Sequence, residues 1–382
     1  MKLIHTSDLH LGRRMNELSL VRDQKYIIDE MLTRVGELLP DAFIIAGDVY
    51  DKSIPSAEAV TLFDRLLTGL NSLGVRVFII GGNHDSQQRL AFGSALLSEN
   101  GIYISEEYSG SLSPVTLTDE YGEVLIYLLP FVKPAEVKRY FPDAEIESYT
   151  DAVRVALSEI PRGGAARRVL VTHQFVTGAS RSESEEVSVG GSDNVDASVF
   201  SGFDYVALGH IHSPQNVGAE NIRYSGTPLK YSFSECRDVK SLTLVTLGEA
   251  GALTVEAIPL VPMHEVVDLR GGYRELMARD FYKDTTYPTD LVRITLTDEE
   301  DIVDAVGRLR SVYTNLLELR YDNTRTRTAA ASLEIGEVEK KSPMELFSEL
   351  YEKQNGRGMT EEQTALVSEL IEKIWEGEEC DR

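Results

Sequence analysis

Apolar residues along this chain alternate between two periods. Ala42-Phe43-Ile44-Ile45-Ala46 is an unbroken apolar run that stops at Gly47, as a strand buried on both faces would. Residues 19–39 place Ile27, Ile28, Met31, Leu32, Val35 and Leu38 at helical spacing. Residues 56–73 repeat that pattern with Val60, Phe63, Leu66, Leu67 and Leu70. Short strands at Leu3–Ser7 and Val75–Ile80 complete the alternation over the first 130 residues. Repeated strand–helix–strand units predict an α/β sheet with helices on its faces.

From about 101 to 260 strands become more frequent, clearest at Leu125–Leu129, Val169–Thr172, Tyr205–Leu208, Arg223–Ser225 and Leu242–Leu247. A second sheet stacked on the first is expected. Residues 264–322 read as a separate small unit with strands Val266–Leu269, Leu291–Leu296 and Leu316–Leu319. A helix between the last two is expected to open at Thr297-Asp298-Glu299-Glu300, which has the capping-box pattern. A polar linker follows, and then two terminal helices. Ser342-Pro343-Met344-Glu345 opens the first and Thr360-Glu361-Glu362-Gln363 the second. The expected boundaries are 1–262 for the main domain, 263–322 for the small unit, 323–341 for the linker and 342–382 for the helical tail.

Candidate chemistry gathers at the ends of the apolar strands. Asp8-Leu9-His10, Gly47-Asp48, Gly82-Asn83-His84-Asp85, His173 and Gly209-His210-Ile211-His212 each follow such a strand. In an extended segment alternate residues point the same way, so Asp8 with His10, and His210 with His212, can reach one ion. Ligand sites in α/β sheets lie beyond the carboxyl ends of strands. Alone, each piece has a bland reading as a turn or a core histidine. Five of the seven histidines fall in this set, beside three aspartates and an asparagine, and the set reads as a metal site. Imidazole, carboxylate and amide oxygen without thiolate suit Mn, Fe or Zn. Seven ligands and one shareable carboxylate imply two ions, and two ions imply phosphoester hydrolysis.

Composition adds three constraints. The 382 residues suit about two domains, and 42% hydrophobic content suits a folded globular chain. Two cysteines, Cys236 and Cys380, form no disulfide framework. Charged residues follow at once on the N-terminus and no long apolar run occurs, so no signal peptide, no membrane span and a cytoplasmic location are expected. The net charge of −24 excludes a free-standing protein that grips nucleic acid by overall basicity.

The five motifs resemble the signature of the calcineurin-like metallophosphoesterases. Their context resembles the SbcD nucleases, the bacterial members of the double-strand-break repair nuclease family. Thr6-Ser7-Asp8-Leu9-His10-Leu11-Gly12, Ala46-Gly47-Asp48-Val49-Tyr50-Asp51, Gly82-Asn83-His84-Asp85-Ser86 and Ala207-Leu208-Gly209-His210-Ile211-His212 carry the likeness. Tyr224-Ser225-Gly226-Thr227-Pro228 and Ser232-Phe233-Ser234-Glu235 extend it, and beyond 264 it holds mainly by layout. The resemblance implies a four-layer α/β/β/α sandwich, then a small α/β capping domain and C-terminal helices that bind an ATPase. It implies one metal on Asp8, His10, Asp48 and His212, and another on Asp48, Asn83, His173 and His210, with Asp48 bridging. His84 would sit over the phosphate, oriented by Asp85. The implied cofactors are two divalent ions, most readily Mn2+.

The implied activity is 3′→5′ exonuclease on double-stranded DNA ends, plus endonuclease at single strands and hairpins. The implied partner is an SbcC-type ABC ATPase with a long coiled coil, two copies of each chain forming the complex. Archaeal relatives carry a further histidine where this chain reads Asp51-Lys52-Ser53. Arg13 and Arg14, beside the first motif, are candidates for phosphate contact, whereas Arg325 and Arg327 read as solvated. Two rival readings share the fold: a hydrolase of small phosphodiesters or phosphoproteins, and a non-catalytic scaffold. The intact ligand set opposes the scaffold.

Overall fold

A computed structural model of the chain describes residues 1–161, 166–185, 193–300, 302–324 and 326, and scattered positions between 344 and 370. Arg325, Arg327, most of the expected linker and much of the two expected terminal helices lie outside the described residues. Two compact units divide the chain: Met1–Thr295 with Val303–Arg320, and Leu296–Ile302 with Tyr321–Arg382. Among the described residues no helix is long and apolar enough to cross a membrane.

The main strands of the first half are β1 (Lys2–Thr6), β2 (Ala42–Ala46), β3 (Arg76–Ile80), β4 (Ile102–Ile104), β5 (Val115–Asp119) and β6 (Gly122–Leu129). There follow β7 (Arg167–His173), β8 (Tyr205–Gly209), β9 (Gln215–Val217), β10 (Ala219–Tyr224), β11 (Ser241–Leu247) and β12 (Leu253–Pro259). The last three are β13 (Val266–Gly271), β14 (Leu291–Leu296) and β15 (Asn315–Tyr321). One six-stranded sheet has the order β12-β11-β1-β2-β3-β4, and a second has β9-β10-β8-β7-β6-β5. Strands β13-β14-β15 form a separate three-stranded sheet.

Side-chain alternation in β2 shows how the layers arise. Phe43 and Ile45 pack outward with Ile27, Met31 and Val35 of α1 (Val21–Leu38) and with Phe63, Leu66 and Leu70 of α2 (Ala57–Ser72). Ala42, Ile44 and Ala46 pack inward against Val169, Val171 and Ala207 of the second sheet. The outer face of that sheet, through Leu170, Val206 and Leu208, packs on Val153 and Ala156 of α3 (Tyr149–Ala156). The result is the α/β/β/α sandwich, with both sheets buried on two faces.

Register then aligns the motifs. In the parallel pairs, Thr6 lies opposite Ile45, Ala46 opposite Ile80, and His173 opposite Gly209. The first three motifs therefore leave one sheet, and the last two the other, at adjoining strand ends.

Two expectations need revision. Val60 is 47% exposed, and Leu62 takes its place on the buried stripe of α2. The helix expected at Thr297 begins instead at Ala305, and α4 spans Ala305–Arg310. The Glu299 carboxylate accepts from the Thr324 hydroxyl at 2.8 Å and from its N–H, and the Asp298 carbonyl accepts from the Asn323 side-chain amide at 3.1 Å, so this stretch is held by residues 323–324 where a first helical turn was expected.

Candidate metal centre

Three loops from the first sheet and two strand ends from the second converge on one point. Asp8, His10, Asp48, His173 and His212 are all at most 2% exposed, and His210 is 7% exposed. Donor atoms of Asp8, His10 and His212 lie within 4.8 Å of one another, as do those of Asp8, Asp48 and His173, and those of His10, Asp48 and His84. Asn83 Oδ1 sits 3.1 Å from both His173 Nε2 and His210 Nδ1. All nine residues singled out in the sequence belong to this region.

The spacings suit a cation better than direct pairing. Asp48 Oδ2 is 3.4 Å from His173 Nε2, 3.7 Å from His10 Nε2 and 3.9 Å from His84 Nε2. These are long for hydrogen bonds. Ligands held ~2.1 Å from one metal stand roughly 3 Å apart in an octahedral site and ~3.4 Å in a tetrahedral one. His10 Nε2 and His212 Nε2 face each other at 3.2 Å. The donor set, seven nitrogens and oxygens with no sulfur, fits a pair of divalent ions.

Backbone carbonyls set the orientation of two of the rings, His173 and His84. His173 donates from Nδ1 to the Ala46 carbonyl at 2.9 Å, which turns its Nε2 towards the cluster. His84 donates from Nδ1 to the Asp51 carbonyl at 3.2 Å and likewise turns Nε2 inward. The Asp85 carboxylate accepts from the backbone N–H of Val49, Tyr50 and Gly82 at 2.9–3.0 Å. It thereby ties the third motif to the second, and any orientation it gives His84 runs through that backbone. At Gly82 a Cβ would lie 2.1 Å from Asp48 Oδ1, so only glycine lets the third loop approach this carboxylate.

Electrostatics reflect this crowding. Burial opposes protonation of His173, but the Asp48 and Asp8 carboxylates outweigh it and raise the imidazole to about 9. Burial raises Asp8 and lowers His10 well below the ordinary histidine value. His210 is pushed down to about 3 by burial and then by the nearby His173. Burial opposes ionisation of Asp48 too, yet His173, His10 and His84 together hold its carboxyl well below the usual range. Burial, then the charge of Asp48, lifts Asp85 to about 6 against its three backbone donors. Such a cluster is unsettled as bare protein and complete once cations balance its carboxylates.

A family model for calcineurin-like phosphoesterases matches residues 1–214. The chain belongs to this family. It is therefore a two-metal hydrolase of phosphate esters, and the converging histidines and aspartates are the candidate ligands for its binuclear centre. A second family model, for the SbcD C-terminal domain described as the type 5 capsule protein repressor C-terminal domain, matches residues 260–355 of the phosphoesterase. The two domains in this order support an SbcD-type nuclease subunit. Among solved structures, the phosphoesterase is similar to a dimetal phosphatase from Danio rerio at 9% identity, covering 69% of this chain and 98% of that one, TM-score 0.40. It is also similar to the TT1561 protein of Thermus thermophilus at 11% identity, covering 67% and 98%, TM-score 0.38. The YfcE phosphoesterase of E. coli matches at 13% identity, covering 68% and 100%, TM-score 0.27.

Some residues around the centre carry no sequence pattern that reveals them. Gln24 of α1 is 1% exposed; it donates to the His10 carbonyl at 2.7 Å and accepts from the Gly12 N–H at 2.9 Å, clamping the first loop. Asp51 holds Arg13 at 3.0 Å, and Arg13 also donates to the Ser184 carbonyl at 3.1 Å. Arg13 is thus engaged within the fold. Ser184, Glu185, Glu235 and Lys240 lie behind His212. Their only prior signal was the Ser232-Phe233-Ser234-Glu235 likeness, which carried no role. His5, one of the two histidines outside the motifs, is structural: it is fully buried between the Tyr205 hydroxyl at 2.9 Å and the Leu208 carbonyl at 3.2 Å.

Proposed function

We propose that this phosphoesterase is the nuclease subunit of an SbcCD-type complex. With manganese it degrades double-stranded DNA 3′→5′ from ends and cuts single strands and hairpins. It works in the cytoplasm as a homodimer bound to two copies of an SbcC-type ABC ATPase. The observation that carries this reading is the second domain match, at residues 260–355, C-terminal to a phosphoesterase match whose seven candidate donor residues all converge.

In this reading residues 1–262 are the nuclease domain, 263–322 cap it, 323–341 link, and 342–382 bind the ATPase. Asp8, His10, Asp48 and His212 hold one ion; Asp48, Asn83, His173 and His210 hold the other. Manganese suits these nitrogen and oxygen donors. Two such ions, when bound, supply a water of lowered pKa and charge neutralisation at the attacking and leaving oxygens. His84 keeps its Nδ1 proton on the Asp51 carbonyl; as the imidazolium it also carries an Nε2 proton, 3.9 Å from Asp48 Oδ2, which meets the phosphate and passes to the leaving oxygen. Asp85 positions the loop that carries it.

The test is digestion of linear duplex DNA by the full chain with manganese, with and without the ATPase. His84→Ala is expected to lower cleavage ~100-fold or more while both ions stay bound. Equal digestion by a metal-loaded wild type and variant overturns the assignment of His84, and failure of the wild type to cut DNA with the ATPase present overturns the nuclease reading. Deleting residues 343–382 is expected to abolish copurification with the ATPase, and unchanged copurification defeats the docking role.

A further inference from the structure

Behind the metal centre lies a second cluster of buried charge that the hydrolytic reading does not use. Glu235 and Lys240 are 0% and 4% exposed, and they pair at 2.6 Å. Burying an ion pair is costly, so its retention asks for a task. Both partners reach His212. Lys240 Nζ donates to the His212 carbonyl at 2.9 Å. Ser184 Oγ lies 2.6 Å from Glu235 Oε1 and 2.6 Å from His212 Nδ1. Ser232 donates to the same Glu235 oxygen at 2.9 Å, and Glu185 Oε1 accepts from the His212 backbone N–H at 2.6 Å.

Proton counting fixes the direction of this chain. A carboxylate paired with an ammonium group has lone pairs and no proton to give. The single hydroxyl proton of Ser184 therefore goes to Glu235, and its oxygen accepts. The donor to that oxygen is His212 Nδ1–H. The Nε2 lone pair of His212 then faces His10, Asp8 and the cluster.

We propose that Lys240, Glu235 and Ser184 form a positioning relay that holds His212 in its Nδ1–H tautomer and aims Nε2 at the metal. This rests on the metal-centre reading above and names residues of this chain that set the affinity of one of its two ions. None of the three touches substrate. Ser184 comes from a different chain segment than Glu235 and Lys240. The relay therefore ties the approach of residues 182–185 to the quality of one ligand.

The experiment measures manganese binding to the full chain by calorimetry, for wild type, Ser184→Ala, Ser184→Thr and His212→Ala. Ser184→Ala is expected to weaken one of the two ions about 10–100-fold and leave the other unchanged. Ser184→Thr keeps the hydroxyl and is expected to restore the affinity. On a His212→Ala background, Ser184→Ala is expected to cause no further loss, because the relay acts only through that ring. Melting in chelator checks that the serine variants fold as wild type does.

Wild-type affinity for both ions in Ser184→Ala overturns the relay. So does a loss that adds independently to that of His212→Ala. A wild type that binds fewer than two ions overturns the metal-centre reading itself, which is a separate outcome.

Discussion

Gly209→Ala tests how the two sheets meet at the centre. Gly209 ends β8, opposite His173 in register, and a Cβ there would lie 1.8 Å from the Ala46 carbonyl oxygen and 2.7 Å from His173 Nδ1. A carbon and a carbonyl oxygen need about 3.3 Å, so the ends of β2 and β8 must part by roughly 1.5 Å. That shift breaks the hydrogen bond from His173 Nδ1 to Ala46, which is only 2.9 Å long now. Overpacking costs ~1–3 kcal/mol and a stranded buried donor a similar ~1–3 kcal/mol. The variant is therefore expected to melt roughly 5–15 °C lower in chelator. It is also expected to bind the ion on His173 about 10–100-fold more weakly. Differential scanning calorimetry and manganese titration read the two effects. Gly36→Ala is the control: it lies inside α1 with its nearest neighbour at 3.7 Å, and it is expected to stabilise by ~0.5–1 kcal/mol. A Gly209→Ala protein that melts with wild type and binds both ions unchanged refutes the reasoning.

Two further outcomes follow from buried charge. Removing metal with chelator leaves the Asp8 and Asp48 carboxylates buried together, so melting is expected to fall; restoring manganese to 100 times its Kd is expected to return ~2.7 kcal/mol per site, and coincident melting curves would show that no such site exists. His5 supplies a pH dependence away from the centre. Burial pushes its imidazole down to about 3, so between about pH 6.5 and 3 the unfolded chain takes the proton and the folded chain does not. Its stabilising effect is whole above pH 6.5 and declines as pH falls, by up to ~1.4 kcal/mol per unit. In urea titrations with chelator, wild type is expected to lose about 1 kcal/mol more than His5→Gln between pH 7 and 5.5, and equal losses would contradict this sign.

Regular elements and ligands were legible for different reasons. Strand β2 occupies Ala42–Ala46, the same five residues as the apolar run, because a strand buried on both faces must be apolar throughout. The convergence of the candidate ligands was legible because a strand end places a short polar motif at a fixed distance from a core. What escaped was polar structure without period. Glu235 and Lys240 look like any surface pair in the sequence; only the fold brings Ser184 between them and His212. The capping pattern at Thr297 misled for the complementary reason. It is local, and hydrogen bonds from Asn323 and Thr324 to residues 298–299 hold that stretch in another conformation.

The ligand loops also explain why propensity alone says little at the centre. Asp8, His10, Asp48 and His210 all have positive φ, at 53°, 42°, 48° and 105°. For residues with a Cβ this costs about 1 kcal/mol or more each. Glycine would relieve the cost and lose the ligand. The strain persists because each loop is held by another. Asp8 N–H donates to the Gly47 carbonyl at 3.0 Å, and His10 N–H to the Asp48 carbonyl at 2.9 Å. His210 N–H donates to both oxygens of Asp8, at 3.1 and 3.2 Å. The backbone of one motif thus fixes the side chain or loop of the next, across both sheets. Such a ring of contacts cannot order one motif at a time. It sets the spacing of the donors through the protein's own hydrogen bonds, so a cation meets ligands already aimed, and a change at one strand end is felt by donors on the others.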